Sequence, residues 1–82
     1  MRTLTLYTKP GCHLCEEALA VLLRVRAEFA FELRERDITT EEELHRAYFE
    51  RIPVVDLDDE ELFEYFVDAD VLRERLRDGR EQ

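Results

Sequence analysis

The fold is decided by residues 3–29, which read TLTLYTKPGCHLCEEALAVLLRVRAEF. Residues 3–7 alternate threonine and leucine up to a tyrosine, and this composition predicts a strand. Residues 8–11 contain Pro10 and Gly11 and interrupt that pattern. From Cys12 onward, apolar residues recur at three- and four-residue spacings, which predicts a helix with one covered face. The stretch therefore predicts a strand that leads into a helix, with a pair of cysteines at the junction.

The rest of the chain predicts five further elements. Alternation from Phe31 predicts a second strand that runs toward Ile38. Thr40 followed by Glu43 is a capping-box pattern, which predicts the start of a short helix. Two apolar runs predict strands over residues 52–57 and 62–67, and Asp68 is predicted to cap a last helix that ends at Gly79. The residues predicted to face the core from the last two helices are Leu44, Ala47, Tyr48, Val71, Leu72 and Leu76.

The resulting order is β-α-β-α-β-β-α. The first two strands are joined through a helix, so we expect them to be parallel, with a right-handed crossover. The last two strands are joined by a short turn and should be antiparallel. A chain of 82 residues is too short for a second core. We therefore predict one α/β domain over residues 1–82, a four-stranded mixed sheet with helices on both faces.

Charge and hydropathy exclude several classes of function. The formal net charge is −9, which disfavours nucleic acid and anionic membrane surfaces, because both need a basic face. No stretch approaches the roughly 18 to 20 apolar residues of a spanning helix. The first seven residues are too polar for a signal peptide and read as a strand. We expect a cytoplasmic monomer with neither nucleic acid nor a membrane among its partners.

The two cysteines, Cys12 and Cys15, are too close in sequence to stabilise the fold as a crosslink. A cytosolic pair at this spacing is typical of catalysis or metal binding. Unpaired N–H groups and the helix dipole would favour a Cys12 thiolate, and Lys9 adds positive charge. Glu16 and its neighbour Glu17 oppose this, and the sequence leaves the balance open. Cys15 falls on the apolar face, so Cys12 is predicted to attack disulfides and Cys15 to resolve the mixed disulfide.

Other residues are predicted to contact the substrate. An Ile52–Pro53 bond can be cis at modest free-energy cost, and beside the dithiol it would present the N–H and C=O of Ile52 to an extended substrate. The alternative is an ordinary trans proline that opens a strand. His13 lies within the cysteine motif, where it would tune the thiolate or relay a proton. The predicted substrate-binding residues are Lys9, His13, Ile52 and Pro53.

Two other classes of function remain open at this stage. Cys12 and Cys15 could supply half of a zinc site, or two chains could share an iron–sulfur cluster. A tetrahedral zinc site needs four ligands, and the chain offers only His13 and His45 as further nitrogen ligands. The third class is a non-catalytic interaction module that uses the acidic surface. We predict no metal ligands.

The motif YTKPGCHLC, residues 7–15, resembles the active-site segment of glutaredoxins, and IPVV, residues 52–55, resembles their cis-proline segment. The order of elements is similar to the glutaredoxin form of the thioredoxin fold. The resemblance implies a redox-active disulfide and electron transport, with Cys12 as nucleophile, Cys15 as resolving thiol and Pro53 as a cis proline. Within the family, the chain looks most like the short glutaredoxin-like proteins with a Cys-x-Leu-Cys site.

The chain departs from the family pattern in two places. His13-Leu14 replaces the usual Pro-Tyr between the cysteines. Residues 63–68 replace the Gly-Gly turn whose amides bind glutathione in glutaredoxins, and Glu64 brings a carboxylate there. We therefore expect no tightly bound cofactor, with glutathione possible but a poor fit. The implied partners are a disulfide-containing protein or small thiol and a reductase, either the glutathione system or thioredoxin reductase.

Overall fold

A computed structural model has the predicted order of elements, with one 3-10 turn added before the second helix. It describes residues 2–79, so the ends of the predicted 1–82 domain lie outside the described residues. The strands are β1 (Arg2–Thr8), β2 (Phe31–Asp37), β3 (Val54–Leu57) and β4 (Glu60–Glu64). The α-helices are α1 (His13–Arg26), α2 (Glu42–Tyr48) and α3 (Ala69–Gly79).

The four strands form one mixed sheet in the order β2-β1-β3-β4. β1 is parallel to β2 and antiparallel to β3, and β3 is antiparallel to β4. The predicted sheet is therefore confirmed. Because β1 lies inside the sheet, the loop that follows it, which leads to Cys12 and α1, lies at the middle of one end of the sheet.

Two apolar clusters cover the two faces of this sheet. Leu6 packs with buried residues of α1 and α3, whereas its neighbour Tyr7 packs with α2 through Tyr48. Successive strand residues point to opposite faces, so α2 lies on the face away from α1 and α3. The fully buried residues of the larger cluster include Leu4, Leu22, Val25 and Leu72. The prediction of helices on both faces is confirmed.

The predicted capping box at Thr40 is wrong. Ile38–Thr40 form the 3-10 turn, whose N-cap is Asp37. The Thr40 hydroxyl donates to the Asp37 carbonyl at 2.8 Å, so it is used inside this turn. α2 instead begins after Glu41, which makes no side-chain capping hydrogen bond. The Asp37 side chain caps the 3-10 turn locally, and this arrangement is favoured over a helix that begins at Thr40.

The inward faces of the short helices are narrower than predicted. In α2 only Leu44 and Tyr48 pack inward, and Ala47 is exposed. In α3 Leu72 and Leu76 are buried while Val71 is exposed. The residues that pack inward are Leu44 and Tyr48 in α2, and Leu72, Leu76 and the partly buried Ala69 in α3. A helix that contacts the core along one stripe covers only the residues on that stripe.

The N-cap of α3 agrees with the prediction from the sequence. The Asp68 side chain accepts N–H bonds from Asp70 at 3.0 Å and from Val71 at 3.2 Å, so the predicted N-cap is confirmed. Among residues 2–79, none of the helices is both long enough and apolar enough to cross a bilayer.

The last two strands differ from the predicted ranges. β3 begins at Val54, and β4 is shifted toward the N-terminus relative to the predicted residues 62–67. The turn between them uses Asp58 at φ 57°, a conformation that aspartate tolerates better than most residues. Asp58 also pairs with Thr3, donating its N–H to the Thr3 carbonyl at 2.7 Å. β4 ends at Glu64 because the next residue, Tyr65, also has a positive φ, 70°.

Candidate functional site

The two cysteines lie at the junction between β1 and α1. Gly11 has φ 76°, and a Cβ at that position would meet no atom within 4 Å. The backbone conformation, and not crowding, therefore favours glycine there. Cys12 is the N-cap of α1, and it forms a disulfide with Cys15 across a Cα–Cα distance of 5.2 Å.

The two sulfur atoms have different surroundings. The Cys12 Sγ accepts a hydrogen bond from the Cys15 backbone N–H at 3.2 Å, which is one of the donors that a helix start leaves without an intrahelical partner. Cys12 is half-buried, whereas Cys15 is 2% exposed and packs with Ile38 and Ile52. The prediction that Cys15 lies on the covered face is confirmed.

A cleft of about 340 Å³ opens beside the disulfide. The loop over residues 8–11 forms one wall and brings Lys9 to it. The other walls carry three carboxylates, those of Glu16, Glu35 and Asp37. Hydrogen bonds from the Thr39 hydroxyl and backbone N–H lower the pKa of Asp37, so this carboxyl stays ionised at neutral pH. The cleft therefore combines a disulfide-bonded pair of cysteines with a mainly negative lining.

The Ile52–Pro53 peptide bond is cis, as the resemblance implied. Ile52 is nearly buried against Cys15, so the segment lies beside the dithiol. The prediction that the Ile52 N–H is offered to a substrate is wrong, because this N–H donates to the Tyr48 carbonyl at 3.1 Å. α2 ends at Tyr48, and the last carbonyls of a helix have no intrahelical donor. The chain that follows the helix supplies one.

His13 and Lys9 are placed differently. Lys9 lines the cleft, but His13 does not. The His13 side chain is 88% exposed, with its Nε2 3.9 Å from Glu17 Oε2. Lys9 and Ile52 therefore lie next to the cysteines, and Pro53 follows Ile52. His13, the fourth predicted substrate-binding residue, projects into solvent from within the motif.

Tyr48 packs in the cluster that holds Cys15, and Asp56 contacts Tyr7 of the same cluster; neither was predicted as a site residue. Tyr48 stacks on Tyr7 with ring centroids 4.3 Å apart, and both rings pack against the cluster that holds Cys15. Burial, together with the negative charge of Asp56, raises the pKa of Tyr7 to about 12. Burial and the charge of Glu61 raise the pKa of Asp56 above its usual value. Tyr48 was predicted to face the core but not to belong to a site, and Asp56 stood in no site pattern; the register of the sheet and the placement of α2 bring both to Tyr7.

The segment after β4, where glutaredoxins have glycines, is also tied to the dithiol surroundings. Tyr65 donates its backbone N–H to the Pro53 carbonyl at 2.8 Å and its hydroxyl to the Glu50 carbonyl at 2.7 Å. The Phe66 N–H donates to the Glu64 carbonyl at 2.8 Å, which closes a three-residue turn around Tyr65. No sequence signal marked this turn, because tyrosine rarely adopts a positive φ.

No group of three or more histidine, cysteine, aspartate or glutamate side chains within residues 2–79 is arranged to hold a metal ion.

Comparison with known proteins identifies the family. The family model described as "Glutaredoxin-like domain (DUF836)" matches residues 3–77. A Nitrosomonas europaea protein, solved by NMR, is 42% identical over 92% of this chain and 91% of its own, with a TM-score of 0.79. A protein from X. campestris, solved by X-ray crystallography, is 32% identical over 92% of this chain and 96% of its own, with a TM-score of 0.75.

More distant structures share the fold. A mutant thioredoxin from Halobacterium salinarum is 21% identical over 94% of this chain and 73% of its own, with a TM-score of 0.68. No curated protein matches the sequence significantly. The chain belongs to the glutaredoxin-like family, and its fold is that of the thioredoxin superfamily.

Proposed function

We propose that this member of the glutaredoxin-like family is a thiol–disulfide oxidoreductase with Cys12 as nucleophile and Cys15 as resolving thiol. The observation that supports this most is the setting of the Cys12 sulfur. It caps α1, accepts the Cys15 N–H at 3.2 Å and borders an open cleft. A crosslink over three residues contributes little to the fold, so a pair in this position is better explained by exchange chemistry.

The surroundings of the two sulfur atoms also indicate which cysteine would attack the substrate first. In the reduced protein, the N–H groups at the start of α1 would donate to a Cys12 thiolate, and hydrogen bonds to a charged acceptor are stronger than neutral ones. Lys9, on the wall of the same cleft, adds favourable charge. Cys15 is almost completely buried, where a thiolate is disfavoured and an external disulfide has little access. Cys12 therefore reacts first.

The reaction proceeds in two exchanges. The Cys12 thiolate attacks one sulfur of the substrate disulfide, forms a mixed disulfide and expels the other substrate sulfur as a thiolate, which takes up a proton. Cys15 then loses its proton and attacks the Cys12 sulfur, which releases the second substrate thiol and leaves the Cys12–Cys15 disulfide. Two electrons pass from the dithiol to the substrate, and a reductase or an external thiol must return them.

The surrounding residues would position the substrate. Because the Ile52 N–H is already bonded to Tyr48, the carbonyl of Ile52 is the group that this proposal assigns to substrate contact. Pro53 would shape the wall on that side, and Lys9 the opposite wall. His13, exposed at the motif, would tune the exchange without touching the sulfur atoms.

The protein would work without a tightly bound cofactor. The reductant is either glutathione with its reductase or thioredoxin reductase. The Tyr65 turn and Glu64 occupy the segment that binds glutathione in glutaredoxins, which favours thioredoxin reductase. We further propose that the protein works in the cytoplasm, since a dithiol of this kind needs a supply of reductant. We also propose that it works as a monomer.

The test compares two cysteine variants in a turnover assay with hydroxyethyl disulfide. Cys12→Ser should reduce turnover to the rate without protein, because no nucleophile remains. Cys15→Ser should accumulate a mixed disulfide on Cys12, which mass spectrometry of the intact protein detects. Each variant is assayed with both reductant systems, and the system that supports turnover of the wild-type protein identifies the electron donor.

Arg46→Gln, on the exposed face of α2, serves as the control and should match the wild-type rate. Turnover by Cys12→Ser at the wild-type rate would refute the proposal. Absence of turnover by the wild-type protein with both systems would do so as well.

A further inference from the structure

An apolar groove lies between α1 and the segment that follows β4. We call it the Phe66 groove; its apolar lining consists of Leu14, Ala18, Val21, Tyr65, Phe66 and Val67. Phe66 is 69% exposed and Tyr65 is 41% exposed. Contiguous exposed apolar patches mark sites of interaction, and these two aromatic residues are adjacent in the chain and line one groove.

The turn around Tyr65 holds this groove in shape. Tyr65 has φ 70°, a strained conformation for a residue with a Cβ. Its N–H is bonded to Pro53 and its hydroxyl to Glu50, so both ends of the residue are held. Phe66 follows directly and projects outward. A wall that is ordered before binding loses less conformational freedom when a partner arrives.

One lining residue of the groove lies within the cysteine motif. Leu14 stands between the two cysteines in the sequence and lines the groove. A substrate cysteine bonded to Cys12 therefore has its neighbouring residues within reach of Phe66, since an extended chain advances about 3.3 Å per residue. The groove can contact the segment that carries the reacting cysteine.

The charge around the groove selects its occupant. Glu17 lines the groove, Asp68 follows its last residue, and the cleft on the other side of the motif carries three carboxylates. The chain has a net charge of −9, so a second copy of it or an acidic peptide is repelled. A cationic segment is attracted and approaches faster.

We propose that the Phe66 groove is the docking surface for a protein substrate. The substrate segment has an apolar side chain close to its disulfide-bonded cysteine, flanked by lysine or arginine. This inference rests on the proposed exchange reaction and names the class of substrate for it. The apolar side chain packs on Phe66, and the basic residues face Glu17 and the acidic lining of the cleft.

The experiment measures single-turnover exchange by pre-reduced, desalted protein. The probes are synthetic peptides of equal length, each with one cysteine as a mixed disulfide with thionitrobenzoate, whose release is followed by absorbance. One peptide carries leucine after the cysteine and lysines on either side; a second replaces the leucine with alanine; a third replaces the lysines with glutamates. Hydroxyethyl disulfide is the reference substrate, and every rate is expressed relative to it.

The basic leucine peptide should have the highest relative rate. Phe66→Ser should lower that relative rate about tenfold, the size of a strong interface contact, and high salt should reduce the preference for lysine over glutamate. Phe49→Ser is the matched control, because Phe49 is 48% exposed and lies at the end of α2; its relative rate should equal that of the wild-type protein.

Equal relative rates for the three peptides, or an equal loss in Phe66→Ser and Phe49→Ser, would overturn the inference while leaving the exchange reaction intact. Self-association in solution that Phe66→Ser abolishes would also overturn it, since the occupant would then be a second copy. Failure of the exchange reaction itself is visible separately, as absence of reaction with hydroxyethyl disulfide.

Discussion

Two segments meet at the Phe66 groove, and they are held in place by different kinds of contact. The start of α1 is fixed by the buried stripe behind it, in which Leu22 and Val25 are fully buried. The turn around Tyr65 is exposed and is fixed by hydrogen bonds to Glu50 and Pro53. The first segment carries the two disulfide-bonded sulfur atoms, and the second shapes the groove that Leu14 also lines.

In the proposed function, the exchange reaction depends on the start of α1, whereas the choice of substrate depends on the turn around Tyr65. The proposed reactivity of Cys12 depends on a helix start, which local sequence and a periodic apolar face can specify. The turn depends on partners about a dozen or more residues away, and its polar contacts can be exchanged without disturbing the core. We therefore expect changes near Tyr65 to alter substrate choice and stability modestly, and changes behind α1 to affect the whole domain.

The largest expected effect breaks the support of α1. Leu22→Ala should lower the free energy of unfolding by about 2–5 kcal/mol, because it leaves a cavity in the larger apolar cluster. Leu23→Ala, one residue along the same helix but 49% exposed, should change it by less than about 0.5 kcal/mol. Urea denaturation measures both, and similar losses in the two variants would contradict this description of α1.

The next effect tests the backbone of the turn. Tyr65→Gly and Tyr65→Ala both lose the hydroxyl contact with Glu50, but only alanine keeps the strain of a positive φ. Tyr65→Gly should therefore be the more stable of the two by about 1 kcal/mol. At Phe66 the order should reverse, with alanine more stable than glycine. Thermal unfolding of the four variants decides this, and alanine being the better residue at both positions would argue against the turn.

A smaller effect concerns the ion pairs that link the turn to the cis-proline loop. Arg51 donates from Nε to Glu64 at 2.6 Å and also pairs with Glu61. Since these groups are partly exposed, Arg51→Gln should cost no more than about 1 kcal/mol. The cost should shrink at high ionic strength. A larger loss that salt does not change would mean that Arg51 acts through packing on Tyr48 and not through charge.

The smallest effect concerns Asp56, which lies on β3 among Tyr7 and Glu61. Its pKa is raised in the folded protein by burial and by the charge of Glu61. The folded state therefore holds this proton more tightly than the unfolded state, and stability falls as pH rises from the ordinary aspartate pKa, about 3.9, to the raised value. Asp56→Asn should remove that loss.

The gain in melting temperature from Asp56→Asn should consequently be largest at neutral pH and should decline on acidification below the ordinary aspartate pKa. Glu43→Gln, on the exposed start of α2, is the control and should show no such gain. A benefit of Asp56→Asn that is the same at acidic and neutral pH would show that the charge of Asp56 is not its cause.

Much of the fold could be predicted because its elements have local patterns. The period of α1, the alternation of β2 and the cap at Asp68 are all visible in short windows. The errors share a cause. Thr40 had the pattern of a helix N-cap, but Asp37 is the N-cap of a 3-10 turn that contains Thr40. Ala47 and Val71 lie just outside the buried stripes of their helices, and the width of each stripe depends on the neighbouring elements.

At the candidate site the same division holds. The position of Cys12 and Cys15 at a strand-to-helix junction follows from the sequence, because strand and helix periods meet there. The bonding of the Ile52 N–H to Tyr48 does not, since it depends on where α2 ends. Neither does the contribution of Tyr48 or Asp56, whose neighbours are brought together by the register of the sheet.

The sequence by itself determined the family, the order of elements and the pair of sulfur atoms on which the proposed reaction depends. Only the tertiary structure decided that Tyr65 turns with a positive φ, that Phe66 projects beside the motif, and that carboxylates line the cleft. The physical reason is the range of the interactions. Helix starts and apolar periods are properties of neighbouring residues, whereas the Phe66 groove is made by segments that become neighbours only when the sheet forms.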